Sequence, residues 1–366
     1  MCLDEKWRCK PESGDSGKVD SPRAKDMRLL GIEFAPLKVP MKRRLETAAA
    51  FFWIFVPLIC PLLAWTTVIY ILLYTRFYYV PLLYFGFQYF DKNSPYNGGK
   101  PLEPVRDLAC WKYLCQYFPL STFKTAECPP DTNYLFCIYP HGVLSTSGLV
   151  HFATNGSDFH DKFPGLKTYF ATLDVHFRTP IVRDFILALG IISSDKRSLL
   201  YLLNPERKGN AIALILGGAQ EALYAKPNSY TIVLKNRKGF IRLALQTGAS
   251  IVPVYGFHEN DLYDQVPNPP GSLLFRIQEW IKKKTGLAPI IPIGRGVFQY
   301  SFGIIPRRAH VTSVYGAPIK LPLERIPTEE SVEKYHAIFT EALINLFEEH
   351  KEKYLENAEN IHLEIV

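Results

Sequence analysis

Tyr134-Leu-Phe-Cys-Ile-Tyr139-Pro140-His141-Gly142 is followed by Val-Leu-Ser-Thr-Ser-Gly148. A short apolar, β-prone run stops at Pro-His-Gly and small or polar residues come next. That order predicts a strand, a tight turn and a helix. Pro140 has no N–H for a central ladder, so the strand ends there. His141 then stands at the carboxyl edge of a sheet, where open α/β folds place their sites. A neutral imidazole accepts a proton near pH 7, which makes His141 a candidate general base. A histidine satisfied within a turn is the plainer reading of the same residue.

Downstream, strands and helices alternate. Thr168–Leu173, Ala211–Leu216, Ile251–Phe257 and Val311–Tyr315 read as strands, and Ile181–Leu189 and Gly239–Thr247 as helices. This predicts an α/β fold, a mostly parallel sheet covered by helices on both faces. Residues 267–292 are less regular, with an amphipathic segment Leu273–Lys284. Its closing Lys282-Lys283-Lys284 suits a helix C-terminus, an anionic bilayer or plain solvent. From about Thr328 a helix carries Val332, Tyr335, Phe339, Leu343 and Leu346 as a packing stripe.

Upstream, residues 1–46 mix charges with Pro, Gly and Ser and predict a disordered cytosolic head. From Thr47 to Phe90, 44 residues carry a single charge, Arg76. Ala48–Tyr74 is long enough to span a bilayer, and Phe77–Phe90 is short for a full span. Lys42, Arg43 and Arg44 precede this block, and Lys92, Lys100 and Arg106 follow it. Both flanks are therefore expected on the cytosolic side, which favours an N-terminal membrane-embedded helical hairpin, transmembrane or re-entrant, over 47–92. Pro57, Pro61 and Pro81 are potential bends in it. The catalytic domain is then 93–366, and the sequon Asn155-Gly-Ser157 is expected to stay unmodified.

The totals exclude little by themselves. A net charge of +7 suits an anionic partner or a membrane surface. Nucleic acid is disfavoured, because neither zinc-finger spacing nor a long basic tract is present. Seven cysteines without a CxxC pair, none after Cys137, do not make a disulfide framework and fit a reducing compartment.

Four further places bear chemistry. Leu216-Gly-Gly-Ala-Gln-Glu221 is a strand end, two glycines and a helix start. Glu221 either orients an imidazole, as the acidic member of a triad does, or complements a helix dipole. Lys235-Asn-Arg-Lys-Gly239-Phe-Ile-Arg242 sets Arg237 and Lys238 before a helix entered through Gly239, either a phosphate cradle or a solvated basic face. Gly294-Arg295-Gly296 and Phe177-Arg178-Thr-Pro-Ile-Val-Arg183 offer more cations. P-loop, HExxH, GxSxG and GxGxxG patterns are missing. Position 146 is Thr, so the HxxxxD pattern of glycerol-phosphate acyltransferases is missing too.

In order and spacing, several pieces together resemble the type-2 diacylglycerol acyltransferase family, which includes monoacylglycerol and wax-alcohol acyltransferases. They are Tyr117-Phe-Pro119, Pro140-His141-Gly142, the Phe177–Arg183 stretch and Gly217-Gly-Ala-Gln-Glu221. Arg237-Lys-Gly-Phe240, Gly248, Val252-Pro253, Glu259-Asn260, Tyr263 and Gly294-Arg-Gly296 complete them. Two positions depart from the family pattern: Tyr139 replaces the first histidine of His-Pro-His-Gly, and His258 stands where glycine is common.

The resemblance implies an acyl-CoA-dependent O-acyltransferase that esterifies diacylglycerol to triacylglycerol. Alternatives are a monoacylglycerol or long-chain-alcohol acceptor, or a non-catalytic lipid-droplet protein. It implies His141 as base and Glu221 as its acidic partner, with Pro140, Gly142 and Gly218 shaping the turn or oxyanion site. Arg237, Lys238, Gly239 and Arg295 would meet coenzyme A. Arg178, Arg183, Glu259 and Asn260 would meet substrate. Acyl-CoA is a co-substrate, and neither a cofactor nor a metal is expected. The expected setting is the endoplasmic reticulum membrane, with lipid droplets a second site and a homo-oligomer an open state.

Overall fold

A computed structural model describes residues 27–29, 31–36, 38–269, 271–286 and 289–366. The disorder expected of the head falls largely outside the described residues, as do Cys2 and Cys9.

The described part of the head is ordered, which corrects the expectation there: Met27–Leu29 pairs antiparallel with Ile32–Phe34, and a helix starts at Met41. Three apolar helices follow, α1 (Met41–Leu58), α2 (Cys60–Tyr74) and α3 (Tyr79–Phe90). Helix α4 (Ala109–Tyr117) leads into a seven-stranded sheet. The strands are β1 (Ser121–Lys124), β2 (Tyr134–Tyr139), β3 (Lys167–Thr172), β4 (Ile191–Ser193), β5 (Asn210–Ile215), β6 (Ser250–Phe257) and β7 (Thr312–Tyr315). Their spatial order is β1-β7-β6-β2-β5-β3-β4. The five strands from β6 to β4 run parallel, and the reversed pair β7 and β1 closes one edge.

Helix α5 (Thr146–Ala153) follows β2, α6 (Val182–Ala188) lies between β3 and β4, and α7 (Gly239–Thr247) precedes β6. α8 (Leu273–Thr285) and the closing α9 (Glu329–Tyr354) complete the larger helices. Thr328 caps α9 by accepting from the Ser331 N–H at 3.1 Å, and Glu329 and Glu330 oppose its dipole. The mostly parallel α/β sheet expected from the alternation is present, with strand ends displaced by one residue.

Strand β2 is central and buried along its whole length, as a strand covered on both faces must be. Tyr134, Phe136 and Ile138 face a core shared with Trp111, Phe152 and Phe159. Leu135, Cys137 and Tyr139 face the opposite core, with Phe240, Phe339 and Phe347. Tyr139 is thus a core residue, and its hydroxyl donates to the Val233 carbonyl at 3.3 Å.

Ala48–Tyr74 is not an unbroken span, because Pro57 and Pro61 remove backbone donors around Ile59 and α1 and α2 meet at a 54° bend. The inner face of α1 packs on the α/β core, with Ala50 and Ile54 fully buried and Phe52 against Trp111. Arg308 reaches back to Glu46 on α1. α2 and α3 pack together through stacked Trp65 and Phe85, yet leave Leu62, Leu73, Leu83 and Phe90 exposed. Among the described residues no single helix is long and apolar enough to cross a membrane; α1 and α2 together meet that test of length and composition.

Candidate active site

Register places the ends of four parallel strands at one edge. Tyr139 pairs with Tyr255, Ile138 with Ile215, and Phe170 with Ala213. The His141 turn, the Gly217–Glu221 segment, the loop after β3 with Arg178 and the loop after β6 with Glu259 therefore share the carboxyl edge. Helix α7 runs back along the sheet from its start at Gly239, so Arg237 and Lys238 belong to this edge as well.

His141 is half-buried. Its Nδ1 lies 2.9 Å from the Gly142 carbonyl oxygen, which can only accept, so Nδ1 carries the proton in the neutral ring. Nε2 is left with its lone pair. Burial lowers the His141 pKa below the ordinary histidine value, against the carbonyl's upward pull, and keeps the imidazole neutral near pH 7. Tautomer and charge are those of a base.

Glu221 does not touch that ring. Its Oε1 accepts from the His141 main-chain N–H and its Oε2 from the Val233 N–H at 2.8 Å. The triad reading of Glu221 is corrected accordingly: it clamps the backbone on either side of the site. The geometry follows from the short helical turn Gly218–Ala222, which folds the carboxylate back over Gly217. A Cβ on Gly217 would stand 2.0 Å from Glu221 Oε2, so glycine is required there. Burial pushes the Glu221 carboxyl up to about 7, while the two N–H donors and nearby Arg237 pull it down. Gly218 adopts a φ of +58°, with open space where a side chain would project.

A second buried carboxylate holds the far side of the turn. Glu259 accepts from the Thr146 N–H at 2.6 Å and the Ser147 N–H at 3.2 Å, capping α5. Its side chain also lies under Gly142, where φ is +60° and a Cβ would meet Glu259 Cγ at 2.9 Å. The substrate-contact reading of Glu259 gives way to this positioning role. Sequence order offered no sign of it, since the partners lie more than a hundred residues apart.

The remaining candidates divide. Arg237 is exposed and donates to the Gly217 carbonyl at 3.3 Å, a cation set beside the glycines. Lys238 is paired with Glu333 of α9, and Arg242 grips Glu329 with 2.6 and 2.8 Å contacts. Half of the basic cluster is thus neutralised by α9. Arg295 lies over the Tyr300 ring at 4.4 Å and donates to the Gly296 carbonyl at 3.2 Å. Arg178 is exposed at the site edge.

Arg183 is corrected from a substrate contact to a buried tie, bonded to Asp91 and Asp184 at 2.9 Å each. Asn260 donates to the Ser229 carbonyl at 2.8 Å. His258 has both ring nitrogens engaged, with Asp261 at 2.6 Å and the Tyr354 carbonyl at 2.8 Å, and the Asp261 contact raises its pKa. It fastens the end of α9 and is no second base.

A cavity of about 640 Å³ lies at the opposite, amino edge, lined by Arg106, Asn155, His160 and Lys167, and does not reach His141. Asn155 there donates to Glu103 at 2.8 Å and Asp107 at 2.9 Å.

The diacylglycerol acyltransferase family model matches residues 70–365. Diacylglycerol O-acyltransferase 2 of Dictyostelium discoideum is 42% identical over 320 residues, 87% of this chain and 96% of that protein. 2-acylglycerol O-acyltransferase 1 of Bos taurus is 40% identical, and acyl-CoA wax alcohol acyltransferase 2 of Mus musculus 37%; each alignment covers 88% of this chain and 96% of the relative. Among solved structures, the 1-acyl-sn-glycerophosphate acyltransferase PlsC of Thermotoga maritima aligns at a TM-score of 0.38 with 12% identity, over 82% of this chain and 96% of that one. That likeness is loose, and the assignment rests on the sequence relatives.

A half-buried neutral histidine at the carboxyl edge of a parallel sheet, in a chain with such relatives, defines an acyltransferase. The chain belongs to the diacylglycerol acyltransferase family.

Proposed function

We propose that this chain transfers a fatty acyl group from acyl-CoA to the free hydroxyl of diacylglycerol. The observation that carries the mechanism is the Nδ1 contact of His141 with the Gly142 carbonyl, which leaves Nε2 as the acceptor. In the proposed reaction Nε2 takes the proton as the hydroxyl oxygen attacks the thioester carbon. The Gly142 N–H, bonded to no acceptor among the described residues, donates to the developing oxyanion, a contribution of about 3 kcal/mol in measured cases. Collapse expels the CoA thiolate, which receives the proton from the imidazolium, and the new ester departs. Arg237 meets a CoA phosphate; Arg295 and Arg178 are further cations for it or for the acceptor.

The N-terminal helices are proposed to lie in the membrane of the endoplasmic reticulum, with His141 on the cytosolic side and lipid droplets a second location. Their exposed leucines and aromatics support this reading, as does the link from α3 to the site edge. Tyr84 of α3 accepts from the Ile181 N–H at 2.7 Å, in the loop that follows β3. Lipid substrates then arrive sideways from the bilayer.

Monoacylglycerol as acceptor is the second reading, favoured by the 40% identity to a 2-acylglycerol acyltransferase. Purified protein with labelled oleoyl-CoA and separate diacylglycerol, monoacylglycerol and hexadecanol acceptors tests both. Triacylglycerol as the dominant product supports the first, and diacylglycerol or wax ester as the dominant product overturns it.

A further inference from the structure

We propose that the segment Val297–Ile304 is a second membrane-contact surface, seated among the headgroups and upper acyl chains of an anionic bilayer. The proposal rests on the reading that the N-terminal helices lie in a membrane.

The segment is a built loop. Its stem closes through Gly294 N–H to Gly303 O at 2.8 Å and through Arg295 and Ile305, which exchange both main-chain bonds at 2.6 and 3.0 Å. The Gly296 N–H adds a bond to Gln299 O at 2.9 Å. Gly303 sits at φ +133°, where a Cβ would press to 2.5 Å from the Arg295 carbonyl. On this frame Phe298 is 79% exposed, Phe302 53%, Val297 45% and Ile304 41%. Four large apolar side chains fixed on one loop form the kind of contiguous patch that marks an interaction surface.

Its place in the fold names the occupant. The Phe298 carbonyl accepts from the Ala35 N–H and the Tyr300 N–H donates to the Glu33 carbonyl, both at 2.8 Å. Those residues lie just ahead of α1, and Arg308 past the loop pairs with Glu46 on α1 itself. On its other side, Arg307 N–H donates to the Leu262 carbonyl in the loop after β6, at the edge that holds His141. The patch thus continues the path from the N-terminal helices to the site edge. Charge agrees: from Trp280 to Leu323 the sequence has seven Lys or Arg and not one Asp or Glu. Lys282 and Arg308 are paired with Glu279 and Glu46, while Arg295 stands at the stem of the loop over the Tyr300 ring. A cation beside exposed aromatics, in a stretch of net positive charge, matches an anionic lipid surface.

The test uses the full chain in phosphatidylcholine vesicles, with and without phosphatidylserine, labelled from the lipid phase by a hydrophobic diazirine and mapped by peptide mass spectrometry. Peptides from 60–90 and from 294–305 should label several-fold above a peptide from 329–354. Loop labelling should rise with phosphatidylserine and fall with added salt. In F298S/F302S the loop should lose its label while 60–90 keeps its own; both residues are exposed, so folding should survive. Labelled 60–90 beside an unlabelled loop overturns the proposal and leaves the hairpin reading standing. Label on the loop alone supports the loop surface and overturns the hairpin reading. Label on neither overturns both.

Discussion

Glu221 holds His141 by the main chain. One carboxylate oxygen takes the His141 N–H and the other the Val233 N–H, while the imidazole finds its partner in the Gly142 carbonyl. A clamp and a triad member predict different behaviour. In Glu221→Gln one acceptor oxygen becomes an NH2 donor facing a buried N–H, a loss of about 1–3 kcal/mol. The variant should melt earlier and turn over more slowly, with the pH at which its rate falls off unchanged. A displaced acid limb with unaltered stability would restore the triad reading.

Glu221 also makes a pH prediction for stability. Its folded pKa, about 7, lies above the ordinary 4.5, so its contribution is fully present below about pH 4.5 and is lost as pH rises through about 7. Denaturant titrations of the wild type should lose part of their stability across that interval, and Glu221→Gln should lose less. Parallel pH curves for the two proteins would contradict the assignment.

His141 has its pKa lowered by burial, so it stays unprotonated to a pH below the ordinary 6.5. The acid limb of kcat/KM should accordingly fall below pH 6.5. A half-maximum above 6.5 would mean a carboxylate partner at the ring that the structure does not show.

The turn tolerates no side chain at two glycines. Gly142→Ala places a methyl against Glu259 at a positive φ, and Gly217→Ala drives one into Glu221. Each should cost about 1–3 kcal/mol of stability and most of the activity. Gly218→Ala meets no neighbour and carries only the strain of its φ of +58°, so it should lose less than Gly217→Ala. Thermal melts and initial rates on the three proteins give the ranking, and equal effects would contradict it.

Arg237 and Lys238, adjacent in sequence, should separate in kinetics. Arg237 is exposed and donates to the Gly217 carbonyl at 3.3 Å, so Arg237→Ala should raise KM for oleoyl-CoA roughly five-fold, about 1 kcal/mol, and leave KM for the acceptor unchanged. Lys238 is spent on Glu333, so Lys238→Ala should leave KM for oleoyl-CoA near wild type. Equal KM shifts would return Lys238 to the CoA site.

The sheet was legible because its signals are local. An apolar run stopped by Pro140 and a helix entered at Gly239 need no distant partner to be read. The roles of Glu221 and Glu259 were not, since each is decided by which N–H groups the fold brings to its oxygens. The same applies to Lys238, whose neutralising Glu333 lies almost a hundred residues away, and to His258, held by Tyr354. At the N-terminus, composition gave the apolar block, and Pro57 and Pro61 marked where it bends. Only packing shows that one face of α1 belongs to the core.

The central claim is that His141 Nε2 takes the acceptor's proton. Its most direct test is the initial rate of acyl transfer from oleoyl-CoA to diolein by full-length His141→Ala in vesicles, beside wild type of equal membrane recovery and melting temperature. A rate lower by about 10²–10⁴-fold is predicted. A rate within a few-fold of wild type would contradict the mechanism.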